Sequence, residues 1–144
     1  MNPLTILFLC TGNSCRSQMA EGWARHFHPT RIVPYSAGIA PDPLNPRAVT
    51  VMREAGVDIA DQYSKPPTAL AHVRFDYVIT LCGHAHEHCP IFPGTVPILH
   101  YGVEDPVVLA RTAPDEAAAL SHYRRIRDAL REFVATLPEW LAEK

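Results

Sequence analysis

No run of apolar residues in this sequence approaches the ~18 that a membrane-spanning helix needs. Basic residues hold no surplus: thirteen Lys and Arg stand against fifteen Asp and Glu, a formal charge of −2. A strong non-specific nucleic-acid binder carries a large basic excess, so that class is set aside. The same near-balance excludes an acidic, disordered tail protein. The first basic side chain is Arg16. The chain therefore opens without the charged start of a secretory signal, and the cytoplasm is the expected location. Repeats, low-complexity tracts and interdomain linkers are missing as well. Cysteine is scarce, at four residues. In a cytoplasmic chain these read as reactive or metal-binding rather than as structural disulfides. What is present is an ordinary globular composition: 144 residues, 47% apolar and 19% charged. That suffices for one domain, residues 1–144, with a sizeable core.

The apolar run Leu4-Thr5-Ile6-Leu7-Phe8-Leu9 reads as a strand buried on both faces, as in a parallel sheet. Small and polar residues break it from Cys10 to Ser14. A helix is expected to begin near Ser17, with Met19, Trp23 and Phe27 as its buried stripe. Ile32 to Ser36 reads as a second strand, and Pro34 suggests an edge position. Strand, helix and strand in this span make a βαβ unit. Asn45 can cap a second helix that opens on Pro46, buries Val49, Met52 and Ala55, and ends at Gly56. Phe75 to Leu81 reads as a third strand finishing at Cys82, and Val96 to Leu99 as a weaker fourth. Leu120, Tyr123, Ile126, Leu130, Phe133 and Leu137 recur at helical steps, so a long amphipathic helix is expected, ended by Pro138. Arg124, Arg125, Arg127 and Arg131 on it read as a solvated face rather than an anion patch. The alternation of elements implies a three-layer α/β/α sandwich around a four-stranded parallel sheet.

Cys10-Thr11-Gly12-Asn13-Ser14-Cys15-Arg16-Ser17 lies between the first strand and the first helix. Ligands of open α/β sheets bind at that end of the strands. A loop curled there turns backbone N–H groups inward, and the helix adds its positive end. Gly12 and Asn13 tolerate the unusual backbone angles of such a curl. Arg16 can grip two oxygens of an oxyanion. The same field is expected to lower the pKa of Cys10 and make it a nucleophile, with the Ser17 hydroxyl bonded to the thiolate.

These residues carry a resemblance. The sequence resembles the low-molecular-weight tyrosine phosphatase fold group and, within it, the thioredoxin-coupled arsenate reductases. The most specific stretches are Cys10 to Trp23, Tyr35 to Ile39, Asn45-Pro46, Val78 to Cys82, Cys89-Pro90 and Asp105-Pro106. Phosphatases of the group usually carry proline after the Arg-Ser pair; this chain has Gln18, as the reductases do. The resemblance implies that Thr11 to Ser17 bind arsenate and that Asp105, by spacing alone only a loop aspartate, is the general acid. It further implies a relay. Cys10 attacks arsenic, Cys82 attacks the Cys10 sulfur and releases arsenite, and Cys89 moves the disulfide to Cys82–Cys89. Thioredoxin then reduces that pair. The implied function is arsenic detoxification, with a weak phosphatase side activity, no tightly bound cofactor, and a monomer as the expected state.

If residues 82–89 are helical when reduced, the two Cα atoms stand about 10 Å apart. A disulfide needs roughly 4.4–6.8 Å, so the segment must open on oxidation, and Gly83 would ease that. Cys15 reads as structural, with a Cys10–Cys15 disulfide as an oxidative dead end. Two rival functions stand beside the reductase. One is a low-molecular-weight tyrosine phosphatase, with no role for Cys82 or Cys89. The other is a non-enzymatic metal-binding or redox-sensing module, because Cys82, His84, His86, His88 and Cys89 crowd into eight residues and His84 and His88 share a helix face. Some relatives also hold a potassium ion behind the loop, on residues matching Asn13, Glu21 and Ser36 plus an acidic side chain. That acidic position falls on Lys65 here. The expectation is a built-in cation, with Lys65 bonded to Glu21 and no ion needed.

Overall fold

The computed structural model describes residues 2–90, 92 and 94–144. Strand β1 is Leu4–Cys10, and Ile6 to Leu9 along it have no exposed surface. Such a strand needs neighbours on both edges and cover on both faces. Strand β2 (Ile32–Gly38) lies on one side of it, β3 (Tyr77–Thr80) on the other, and β4 (Ile98–His100) beyond β3. The order is β2-β1-β3-β4, and every neighbouring pair is parallel. Pro34 therefore sits on an edge strand, as its missing N–H requires. The chain is an α/β sandwich around this sheet.

Helix α1 (Arg16–Phe27) packs on β1 and β2 and against α5 (Glu116–Ala135), with Met19 and Trp23 buried. Trp23 keeps its indole N–H satisfied by donating to the Arg127 carbonyl at 3.1 Å. Helix α2 (Pro46–Glu54) is capped as expected: the Asn45 side chain accepts from the Arg47 N–H at 2.8 Å. Its buried stripe is Ala48, Val51 and Met52 rather than Val49, Met52 and Ala55. The helix stops at Glu54, so Ala55 falls in its cap and faces solvent, while Gly56 turns the chain at φ +86°. Lys65 precedes a short 3-10 turn at Pro67–Leu70.

The remaining helices are α3 (Gly83–Glu87), α4 (Pro106–Ala110) and α6 (Leu137–Ala142). The expected fourth strand shifts to Ile98–His100. Pro97 has no N–H to give the ladder, but its carbonyl accepts from Val78 and starts the pairing. The long helix ends at Ala135 rather than running to Pro138. The Thr136 hydroxyl donates back to the Glu132 carbonyl at 3.1 Å. Pro138 then occupies the first turn of α6, where a missing N–H costs nothing. The four arginines of α5 lie in ion pairs: Arg124 and Arg127 with Glu54, Arg125 with Glu104, and Arg131 with Glu132. No described helix is long and apolar enough to cross a membrane.

Candidate active site

The strand order changes direction between β1 and β3, the crevice where ligands of such sheets sit. Residues 11–15 leave the end of β1 there and run into α1. Their backbone carbonyls are turned away from the crevice and occupied. Those of Cys10, Thr11, Gly12 and Ser14 accept from Ile39, Ala40, Asp42 and Asn45, at 2.8–3.1 Å. The Asn13 carbonyl accepts from Ser64 Oγ at 2.6 Å and Gln18 Nε2 at 3.0 Å. A peptide unit with its C=O outward presents its N–H inward, so the loop is lined with donors. Asn13 makes the curl possible in the left-handed region, at φ 50°. The cavity it encloses measures about 330 Å³ and is lined by Cys10, Thr11, Cys15, Arg16, Asp105 and Arg111, among others.

The Cys10 sulfur lies 2.8 Å from Ser17 Oγ and accepts from the Asn13 N–H at 3.3 Å. Asn13 Nδ2 donates to Ser17 Oγ at 2.8 Å. That bond fills a lone pair of the hydroxyl and leaves its proton for the sulfur. The expected lowering of the Cys10 pKa does not hold in this arrangement. Burial pushes the thiol up, and it outweighs the Ser17 and Asn13 hydrogen bonds and the Arg16 charge that pull it down. Burial also pushes Cys15 up, to about 12, so it remains a thiol.

Arg16 is buried, donates to the Val103 carbonyl at 3.1 Å and stands 3.4 Å from Asp105. The other Asp105 oxygen accepts from the Val107 N–H at 2.9 Å and caps α4. The aspartate is thereby aimed across the loop at Arg16. Cys82 stands at the loop's edge. Its sulfur is 3.3 Å from Thr11 Oγ1 and accepts from the Ala85 N–H at 3.3 Å, capping α3. Cys89 lies half-buried beyond α3, and burial raises its thiol. All four cysteines are free thiols. Spacing alone does not give the Thr11–Cys82 contact or the Val103 carbonyl under Arg16, since both depend on the register of β1 against β3. His84, His86 and His88 are exposed. Among the described residues no three His, Cys, Asp or Glu side chains gather where they could hold a metal.

Residues 5–144 match the family model of the low molecular weight phosphotyrosine protein phosphatases. The arsenate reductase of Bacillus licheniformis is 45% identical over 141 residues, which cover 96% of this chain and 98% of that protein. The chain belongs to this family. A solved arsenate reductase in its oxidised state superposes on it with a TM-score of 0.77 at 30% identity, covering 95% of this chain and 96% of the other. A thioredoxin-dependent arsenate reductase from Corynebacterium glutamicum superposes with a TM-score of 0.65 at 29% identity, covering 91% of this chain and 60% of the other.

Behind the phosphatase-family loop, Gln18 ties two segments together, since its Nε2 also donates to the Tyr63 carbonyl at 2.9 Å. A proline at this position would carry neither bond. Lys65 is buried rather than turned to solvent. Its N–H donates to Asn13 Oδ1 at 3.0 Å, and its carbonyl accepts from the Gly38 N–H at 2.9 Å. The expected bond from its ammonium to Glu21 is replaced. Nζ donates to the Tyr63 carbonyl at 3.0 Å, while the Glu21 oxygens take Ser36 Oγ at 2.7 Å and Arg25 at 3.0 Å. Glu21 still acts on Lys65 through space: burial lowers the lysine's pKa, and the Glu21 charge opposes that.

Proposed function

We propose that this chain, an arsenate reductase, passes two electrons to arsenate through Cys10, Cys82 and Cys89 and recovers them from thioredoxin. The observation that supports the relay most is the position of Cys82, held by Thr11 at the lip of the loop that carries Cys10. A phosphatase needs no second thiol there. The lining of the cavity also includes no aromatic ring among the described residues. A small inorganic oxyanion fits such walls better than a tyrosine phosphate, whose ring needs a stacking surface.

Arsenate settles on the inward N–H groups and the Arg16 fork. Its own basic oxygen takes the Cys10 proton. The sulfur attacks arsenic while Asp105 supplies a proton to the departing oxygen, which leaves as water. Cys82 then attacks the Cys10 sulfur, its thiol proton passing to an arsenic-bound oxygen. The S–As bonding pair goes to arsenic, which leaves as arsenite, and a Cys10–Cys82 disulfide remains. Attack by Cys89 on the Cys82 sulfur frees Cys10, and the thioredoxin dithiol reduces the Cys82–Cys89 bond. All these groups come from one chain, which suits a monomer, and the free thiols suit a reducing compartment such as the cytoplasm.

The test is arsenate-dependent NADPH oxidation with thioredoxin and its reductase. Cys10→Ser and Arg16→Ala are expected to abolish it. Cys82→Ser should stop it before any arsenite is released and Cys89→Ser after one arsenite per chain, yet both should keep slow hydrolysis of p-nitrophenyl phosphate. Normal coupled turnover in both Cys82→Ser and Cys89→Ser would refute the relay.

The Lys65 ammonium is proposed as the built-in cation behind the loop, acting beside Asn13, Glu21 and Ser36. Activity is then equal in potassium and sodium chloride at one ionic strength, and Lys65→Ala lowers activity or stability. A potassium requirement in the wild type, or an Ala variant indistinguishable from it, contradicts the assignment.

A further inference from the structure

Helix α3 spans five residues, too few to hold its shape without tertiary support. Two side-chain ties hold it among the described residues. The first is the Cys82 sulfur under the Ala85 N–H, a tie lost once that sulfur enters a disulfide and the segment opens. The second comes from His86. Its Nδ1 lies 3.2 Å from Oγ1 of Thr80, the fully buried last residue of β3. The same oxygen lies 2.8 Å from His100 Nδ1 and donates to the Leu99 carbonyl at 3.3 Å. The two imidazoles lie with their centres 4.7 Å apart and their planes tilted by 40°.

A hydroxyl has one proton and two lone pairs. With its proton on Leu99, Thr80 accepts from the Nδ1–H of both histidines, and all three contacts are satisfied. This sharing makes the tie reversible. When His86 withdraws, Thr80 keeps His100 and Leu99, so no buried polar atom is left without a partner. The helix can let go of the sheet at the cost of one part-buried hydrogen bond and one ring contact.

We propose that Thr80, His86 and His100 form a latch that holds α3 in its reduced shape and thereby sets the potential of the Cys82–Cys89 couple. The proposal rests on the relay reading. His86 is a positioning residue in it and touches neither substrate nor reacting sulfur. Closing the Cys82–Cys89 bond removes two electrons and two protons from the thiols, and in turnover those electrons leave on arsenite. Because the latch favours the dithiol form, its loss makes the disulfide harder to reduce.

The experiment equilibrates the full chain with mixtures of reduced and oxidised glutathione and reads the Cys82–Cys89 disulfide by mass spectrometry. In His86→Ala the equilibrium should move toward the disulfide by about three- to tenfold, the weight of one hydrogen bond. Amide exchange of residues 83–88 should quicken in the reduced form. Hydrolysis of p-nitrophenyl phosphate, which uses the anion loop, should not change. Asparagine places a nitrogen where His86 holds Nδ1, so His86→Asn should restore the wild-type equilibrium. Glutamine places it one atom further out, so His86→Gln should behave as alanine does. A wild-type equilibrium in His86→Ala, with the disulfide present, overturns the latch and leaves the relay standing. Failure of the wild type itself to form a Cys82–Cys89 bond overturns the relay and the latch with it.

Discussion

A nucleophilic cysteine in a protein interior is pulled two ways. Cys10 has the Ser17 hydroxyl, the Asn13 N–H and the Arg16 charge around it, and these would hold a thiolate. It is also shut away from water, and burial wins. A raised thiol pKa keeps the thiolate fraction small near neutrality and lets it grow as pH climbs past the ordinary thiol value of 9.0. Alkylation of Cys10 by iodoacetamide should therefore still be accelerating there. A rate that levels off near neutrality would mean that the loop's field outweighs burial. The loop's residue types are legible in the sequence because their chemistry is local: strand end, left-handed Asn13, Arg16 at the helix start. Their supports are not. Lys65 under the Asn13 side chain, Ser64 under its carbonyl and Val103 under Arg16 all come from far along the chain. Asp105 is readable as an acid only through resemblance, since no periodicity marks a loop aspartate.

Short elements frame the proposed thiol relay. Helix α3 ends at Glu87, so Cys89 lies outside it rather than on its last turn. Moving Cys82 into a bond with Cys89 removes the sulfur that caps Ala85. Amide exchange across residues 83–88 should accordingly rise after oxidation by arsenate. Unchanged protection, with the disulfide confirmed by mass, would show that the helix need not open. Strand positions follow from the apolar runs because a parallel sheet buries both faces of each central strand. Element ends are less legible, because they depend on single backbone groups. Pro97 delays β4 by withholding an N–H, and Thr136 breaks the long helix where the apolar spacing continues through Leu137.

Across the whole molecule, α5 joins what the sheet alone would leave apart, packing on α1, α2 and α4. Most of its ion pairs are exposed and add little. Arg127 differs, because its largely buried side chain donates to the Val51 carbonyl at 2.9 Å as well as to Glu54. Arg127→Met should lower stability by about 1–2 kcal/mol in urea unfolding, with arsenate reduction per folded molecule unchanged. A loss of activity without a loss of stability would place Arg127 in the chemistry instead. On the opposite side of the loop the fit is tighter still. A Cβ added to Gly38 would meet Asn13 N and the Thr11 carbonyl oxygen at 2.7 Å, so the end of β2 is pressed against the back of the anion loop. A cradle cast against a strand in this way cannot widen or narrow to suit its guest. It measures size, shape and charge, and phosphate matches arsenate closely in all three. Phosphate must therefore occupy the same seat as a competitor, and under the proposed relay selectivity moves from the binding step to the bond-breaking one, where arsenic alone keeps the electron pair of its bond to sulfur and departs reduced.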